Sequence, residues 1–259
     1  MAPTVVLLHA FPLDKRMWDD VVDPLAAADW DVVVPDLRGF GGSAYGEDGP
    51  DDDPSLVLMA RDVLGILDRL GVNSAVVVGL SLGGYVAMEM LRQDASRIAG
   101  LALVDTKASA DGDEARANRL RVADQVLAAG STTALARAML PSLLGETTHR
   151  SSPGIVAQVR SWIEDADPAA VAWTQRAMAQ RPDSHEALAA LVVPSLVVWG
   201  EQDQLSGRTE QESMVAALRD VRLVTIPDVG HLSAVEDPPA VAAALVDYLG
   251  TLRRSPATS

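Results

Sequence analysis

The chain of 259 residues contains no cysteine. Disulfides, thiolate metal sites and a cysteine nucleophile are therefore excluded. Histidine is scarce, at four residues, so an imidazole base must be His9, His149, His185 or His231. Positive charge is in the minority: 21 Lys and Arg stand against 36 Asp and Glu, a formal net charge of −15. Such a surface disfavours nucleic acid and anionic membrane as partners and serves solubility. Long hydrophobic runs are missing too. Val5-Val6-Leu7-Leu8 is cut short by His9 and Pro12, and no charged segment precedes it, so it does not read as a signal peptide. The longest apolar stretch, Ala75 to Leu91, holds Ser81, the pair Gly83-Gly84 and Glu89. It divides into strand, turn and helix and reads as buried core rather than a membrane span. What remains is a soluble, cytoplasmic protein, in which 48% hydrophobic residues suffice for one large core.

Short β-branched runs alternate with helical patterns along the chain. The expected strands are Val5–Leu8, Val32–Pro35, Ala75–Val78, Leu101–Val104, Ser195–Trp199 and Arg222–Ile226. They are apolar throughout, as in a parallel sheet buried on both faces. Asp53-Pro54-Ser55 reads as an N-cap with proline at the first helical position, opening a helix from Leu56 to Leu70. Asp237-Pro238 does the same for Ala240 to Leu249. The acidic stretch Glu47 to Asp53 reads as a solvated loop, and the tail after Gly250 as disordered. This alternation predicts a doubly wound α/β sheet. It fails from Asp111 to Ala190, where Gly130, Pro141, Gly145, Pro153, Pro168 and Pro182 cut a strand-free region into short helices. That region reads as a helical cap, residues 111–186, over a core made of 1–110 and 187–259. The cap would cover the carboxyl edge of the sheet, where open α/β folds bind ligands.

Gly79-Leu80-Ser81-Leu82-Gly83 directly follows Ala75-Val76-Val77-Val78. A serine between glycines, at the end of a strand and the start of a helix, has the layout of a nucleophile elbow. A serine hydroxyl needs a positioned base. His231 lies five residues beyond the last expected strand, at the same sheet edge as Ser81, and is the favoured base. A carboxylate must fix its tautomer. Asp203, which follows the strand ending at Trp199, is favoured over Glu201 and Asp105. Two N–H donors are needed for an oxyanion. Leu82 at the helix start and Phe11 in the loop after the first strand are expected to supply them, because Pro12 has no N–H. His9 reads as a histidine that pins this loop, and Asp36-Leu37-Arg38 as a structural turn and ion pair. Gly39-Phe40-Gly41-Gly42 lacks the third glycine of a dinucleotide-binding loop. His149 and His185 have no partners at metal-ligand spacing and read as surface residues. In the cap, Trp162 and Trp173 are the tentative substrate contacts, with Met139 and Met178 as further apolar candidates. Arg150, Arg160, Arg176 and Arg181 are expected to hold a substrate carboxylate.

Across nearly its whole length the chain resembles the cap-bearing α/β-hydrolase superfamily. The resemblance rests on Val5–Pro12, Pro35-Asp36-Leu37-Arg38-Gly39-Phe40-Gly41, Gly79–Gly84, Trp199–Asp203 and Gly230-His231. Arg16-Met17-Trp18 and Gly83-Gly84-Tyr85 are similar to segments of its enol-lactone hydrolases, carboxylesterases and cofactor-free haloperoxidases. The resemblance implies an α/β-hydrolase fold of about six strands without the usual N-terminal hairpin. It also implies a Ser81–His231–Asp203 hydrolase acting on a small ester or lactone, without metal or cofactor. Two features depart from the family pattern: Ala10 stands where the oxyanion loop usually has glycine, and the first parallel strand begins almost at once. Ser81 in place of an aspartate argues against dehalogenase and epoxide hydrolase chemistry. Perhydrolysis would use the same residues, and a ligand-binding receptor on the hydrolase scaffold is the reading from another class.

Overall fold

A computed structural model describes residues 2–43 and 53–254. Six strands form one sheet: β1 (Thr4–Leu8), β2 (Asp31–Val33), β3 (Ala75–Leu80), β4 (Ile98–Val104), β5 (Ser195–Gly200) and β6 (Val221–Ile226). Their order is β2-β1-β3-β4-β5-β6, and every pair is parallel. Parallel neighbours need crossover connections, which helices supply. These are α1 (Asp19–Ala27), α2 (Leu56–Arg69), α3 (Leu82–Gln93) and α10 (Arg208–Ala217), while the single turn α11 (Ser233–Glu236) and α12 (Pro238–Arg254) follow the last strand. Strands β1, β3 and β5 are buried along their whole length. Each buried valine or leucine in them contributes roughly 1.5–3 kcal/mol.

The edge strands depart from the expectation of burial on both faces. β6 leaves Arg222, Leu223 and Thr225 exposed, and β2 ends at Val33 rather than Pro35. An edge strand has no neighbour on one side, and Pro35 cannot donate to a ladder. The first cap is also displaced. Ser55, not Asp53, accepts from the Val57 N–H at 3.1 Å, and Pro54 lies outside the helix. At the other end α12 runs through Gly250 to Arg254. Leu252 continues the buried stripe of Leu245 and Leu249, and the Arg253 guanidinium donates to the carbonyls of Ala28 (3.0 Å) and Asp29 (2.8 Å). Packing thus carries the helix past the point where a disordered tail was expected. Residues 44–52, with most of the acidic stretch, and 255–259 lie outside the described residues. No helix among the described residues is long and apolar enough to cross a membrane.

Between β4 and β5 lie α4 (Asp113–Ala129), α5 (Thr133–Leu143), α6 (Glu146–Ser151), α7 (Pro153–Asp165), α8 (Pro168–Ala179) and α9 (His185–Ala190). Gly130 closes α4 in a left-handed conformation, while Pro153 and Pro168 start their helices. Pro141 does not end α5 at once but lies in its last turn, where the helix loses one hydrogen bond and has little length left to disrupt. α4 packs on α8 and α5 on α7, whereas α9 returns to α3 and α10.

The strand order reverses between β1 and β3, so the loops leaving their carboxyl ends flank one crevice. At the end of β3 the backbone turns abruptly. Ser81 takes φ 54° and ψ −110°, a conformation that costs a non-glycine residue about 1–3 kcal/mol. Its surroundings hold it there. The Ser81 N–H donates to the Val104 carbonyl (3.0 Å), and its own carbonyl accepts from the Thr106 hydroxyl (2.8 Å) and from the Gly84 N–H (3.0 Å). The turn closes only because its flanks carry no side chains: a Cβ on Gly83 would lie 2.1 Å from the Leu8 oxygen, and one on Gly79 2.3 Å from the Gly83 backbone. Gly83→Ala is therefore expected to abolish soluble folding or to cost more than about 3 kcal/mol. Gly154→Ala, at an exposed position in α7 with nothing within 4 Å, should gain up to about 1 kcal/mol. Thermal unfolding of the two variants checks both signs.

Candidate active site

The elbow lifts Ser81 clear of the sheet, and the loop after β6 brings His231 to it. Ser81 Oγ lies 2.8 Å from His231 Nε2, and His231 Nδ1 lies 2.9 Å from Asp203 Oδ2. Nδ1–H donates to the carboxylate, which leaves the Nε2 lone pair facing the serine hydroxyl. Asp203 is buried and well supplied with donors: Oδ1 accepts from the N–H groups of Leu205 (2.8 Å) and Ser206 (3.1 Å), and Oδ2 also accepts from the Ser206 hydroxyl. Burial opposes its charge, but His231 and these hydrogen bonds outweigh burial and hold the carboxyl below its usual range. Burial likewise opposes the imidazolium of His231, yet the charges of Asp203, Asp105 and Glu236 raise its pKa above the ordinary 6.5.

The competing carboxylates take other places. Glu201 is exposed. Asp105, with φ 44°, is completely buried beneath the site. Its two oxygens accept from the Gly200 N–H (2.8 Å) and the Ser233 N–H (3.1 Å), which ties the loop of Asp203 to the loop of His231. Burial and the neighbouring charge of Asp203 push Asp105 up to about 8. Glu236 is a second tie, and sequence reasoning missed it. One carboxylate oxygen accepts from the N–H groups of Gly230 (2.9 Å) and Leu232 (3.2 Å), the residues on either side of His231. The other accepts from the Gly145 N–H (2.7 Å) and the Thr148 hydroxyl (2.6 Å) on the inserted helices. Its four-residue spacing from Leu232 and its place in α11 were the available signals.

Phe11 and Leu82 both lie near Ser81 in the fold. Phe11 lines the same cavity, Leu82 is the first residue of α3, and neither backbone N–H has an acceptor among the described residues. His9 is buried, and burial holds it below its usual value. It donates from Nδ1 to the Ala10 carbonyl (2.9 Å) and accepts the Leu37 N–H at Nε2 (2.9 Å), so it fastens the loop of Phe11 to the loop after β2. Asp36 accepts from Lys15 and Gly42, and Arg38 pairs with Asp62 at 2.7 Å. His149 is exposed, while His185 is half-buried between Asp183 (2.8 Å) and Ser213 (3.0 Å).

A cavity of about 420 Å³ lies over Ser81 and His231, with Leu135, Met139 and Leu143 of α5 and Met178 of α8 in its wall. Trp162 and Trp173 are absent from that wall. Trp162 instead meets the Arg16 guanidinium at 5.7 Å, and Trp173 is packed in the core. Both sit on helix faces turned away from the crevice, which spacing alone does not reveal. The four arginines also separate. Arg150 pairs with Glu146 and Arg176 with Asp124 on the surface, and Arg160 lines a different hollow. Only Arg181 is buried near the cavity, stacked 4.2 Å from the ring centre of Tyr85. The cations that do line the cavity are Lys107, Arg119 and Arg121.

A parallel sheet with a strained serine at the switch point, hydrogen-bonded to a His–Asp pair, defines a hydrolase of the α/β class. The chain belongs to the α/β-hydrolase fold family, whose sequence profile matches residues 3–238. A solved esterase from Thermogutta terrifontis, with malate bound, is 39% identical and superposes with a TM-score of 0.92 over 97% of this chain and 91% of that one. The enol-lactonase from Burkholderia xenovorans LB400 is 28% identical, with a TM-score of 0.86 over 96% and 92%. By sequence, 3-oxoadipate enol-lactonase 1 of Acinetobacter baylyi is 26% identical over 240 residues, 92% of this chain and 85% of that protein.

The Glu236 carboxylate has four donors, and without it each must turn to water or go unpaired. Glu236→Ala is expected to cost about 1–3 kcal/mol and to lower the thermal midpoint by about 2–10 °C, with Glu236→Gln intermediate. Differential scanning calorimetry measures both.

Proposed function

We propose that this hydrolase cleaves a small carboxylic ester or lactone through an acyl-enzyme on Ser81. The observation that carries the reading is the unbroken chain of hydrogen bonds from Ser81 Oγ through His231 to Asp203. In the proposed mechanism Ser81 attacks the carbonyl carbon while His231 Nε2 takes its proton. The oxyanion is met by the N–H groups of Phe11 and Leu82, the latter at the positive end of α3. His231 then hands its proton to the leaving alkoxide. Water enters, His231 deprotonates it, and a second tetrahedral intermediate collapses to acid and free Ser81. Asp203 stays ionised throughout and holds the imidazole in the tautomer that can accept from Ser81. The helices α4 to α8 act as the cap that walls the cavity from solvent. The similarity to an esterase and to enol-lactonases supports the substrate class.

The test is hydrolysis of p-nitrophenyl esters from acetyl to decanoyl, and of small lactones. The wild type should show a chain-length optimum set by the cavity, and Ser81→Ala should lose at least about 10³-fold in kcat. Activity surviving in Ser81→Ala, or no turnover of any ester or lactone by the wild type, would sink the proposal.

The base works only when neutral. Because the pKa of His231 is raised, kcat/KM should climb with pH along a limb whose midpoint lies above 6.5. Asp203→Asn removes the charge that raises it, so the limb should move to lower pH while kcat falls by about 10⁴-fold. A pH profile from 5 to 9 reads both.

A further inference from the structure

The cavity over Ser81 is positive in a chain whose net charge is −15. Lys107, in the loop after β4, and Arg119 and Arg121, on α4, line it, and among the described residues Asp111 is the one carboxylate in its wall. Asp111 is buried and already crowded with cations. Arg119 Nε donates to Oδ2, while Arg181 Nη2 (3.1 Å) and Lys107 Nζ (3.5 Å) approach Oδ1. Arg119 makes its other contacts with neutral groups, the Gln175 oxygen at 3.1 Å and the Met178 sulfur at 3.4 Å, and among the described residues Arg121 donates to the neutral Gln125 and Asn118. Three cations therefore converge on one carboxylate, with Arg121 close by, and the wall keeps an excess of positive charge.

Such an arrangement is costly without an anion. Like charges gathered at a half-buried wall repel, and their field is focused where water is partly excluded. Lys107 is the least committed member: it is only half-buried, and its single acidic neighbour, at 3.5 Å, is shared with two arginines. The part of the wall that α5 supplies, Leu135, Ala138, Met139 and Leu143, is apolar apart from the Ser142 hydroxyl, and it offers no charged group to a second charged end. A ligand matching both walls has an aliphatic segment and one anionic terminus.

We propose that Lys107 and Arg119 form a carboxylate subsite, and that the preferred substrates are esters or lactones whose acyl part ends in a free carboxylate. The assignment rests on the serine-hydrolase reading of the same cavity. It changes the residues expected from the sequence: Arg150, Arg160 and Arg176 take no part, and Arg181 acts from behind by holding Asp111.

The test compares three methyl esters of similar length by pH-stat: monomethyl adipate (anionic), methyl hexanoate (neutral) and methyl 6-aminohexanoate (cationic). The expected order of kcat/KM is anionic, neutral, cationic, with about 10-fold or more between the first two, most of it in KM. Lys107→Met should lower kcat/KM for monomethyl adipate several-fold more than for methyl hexanoate and so remove most of the preference, and Lys107→Arg should retain it. Adipate should compete with substrate more strongly than inorganic phosphate does. Equal kcat/KM for the three esters, an equal loss on all of them in Lys107→Met, or stronger inhibition by phosphate would overturn the subsite. Methyl hexanoate turnover that vanishes in Ser81→Ala keeps the hydrolase reading standing even then, so the two failures are distinguishable.

Discussion

Between the end of β1 and the start of α3 there is room for a backbone and nothing more. The Leu8 carbonyl lies where a Cβ of Gly83 would be, and Gly79 meets the Gly83 backbone with the same closeness. Much of the site depends on that approach. It brings the first turn of α3 against the sheet, so that the helix N-terminus faces the crevice left by the reversal of strand order. It bends the chain so sharply that Ser81 must take a positive φ. Because strand β1 runs past the same point, the loop of Phe11 emerges beside the serine. The strain at Ser81 is offset by hydrogen bonds to Val104 and Thr106 of the next strand and its loop, so this serine is fixed by the sheet itself.

His231 and Asp203 are positioned differently, by buried carboxylates that join loops. Asp105 links the backbone before Asp203 to the backbone after His231, and Glu236 grips the N–H groups on both sides of His231. Loops are ordinarily the mobile part of such a fold. Here their amide groups are answered by two side chains, and the second oxygen of Glu236 extends the tie to α6. The inserted helices and the histidine loop therefore share a carboxylate. Movement of α6 away from the sheet would have to break hydrogen bonds that also shape the approach of His231 to Ser81.

How much of this was legible in the sequence follows from the range of the interaction involved. The strands and the elbow were readable because β-branched runs and the spacing Gly79, Ser81, Gly83 are local signals. Ser81, Asp203 and His231 could be paired because each stands just beyond a strand at one sheet edge, and a parallel sheet brings such ends together. Trp162 and Trp173 could not be placed, because the face a helix turns to the crevice is decided by its neighbours. The path of α12 past Gly250 depends on Leu252 meeting the core and Arg253 meeting the turn at Ala28 and Asp29. Neither contact has a signature within the segment. The same holds for the arginines: Arg119 reaches the cavity because Asp111, eight residues earlier, lies buried beside it.

Charge raises a last point about how such a site would work. A surface with an excess of acidic groups repels an approaching anion, so long-range steering would not favour a carboxylated substrate. At physiological ionic strength that repulsion fades within a Debye length of about 8 Å. Inside the cavity the balance reverses, since Lys107, Arg119 and Arg121 are near and partly shielded from solvent while the surface carboxylates are far away and screened. Selectivity for an anion would then be exerted after entry, in how firmly the substrate is held against Ser81. The carboxylates that raise the pKa of His231, Asp203 foremost, are absent from the cavity wall that holds these cations. The charge that would bind a ligand and the Asp203 charge that tunes His231 are thereby kept apart.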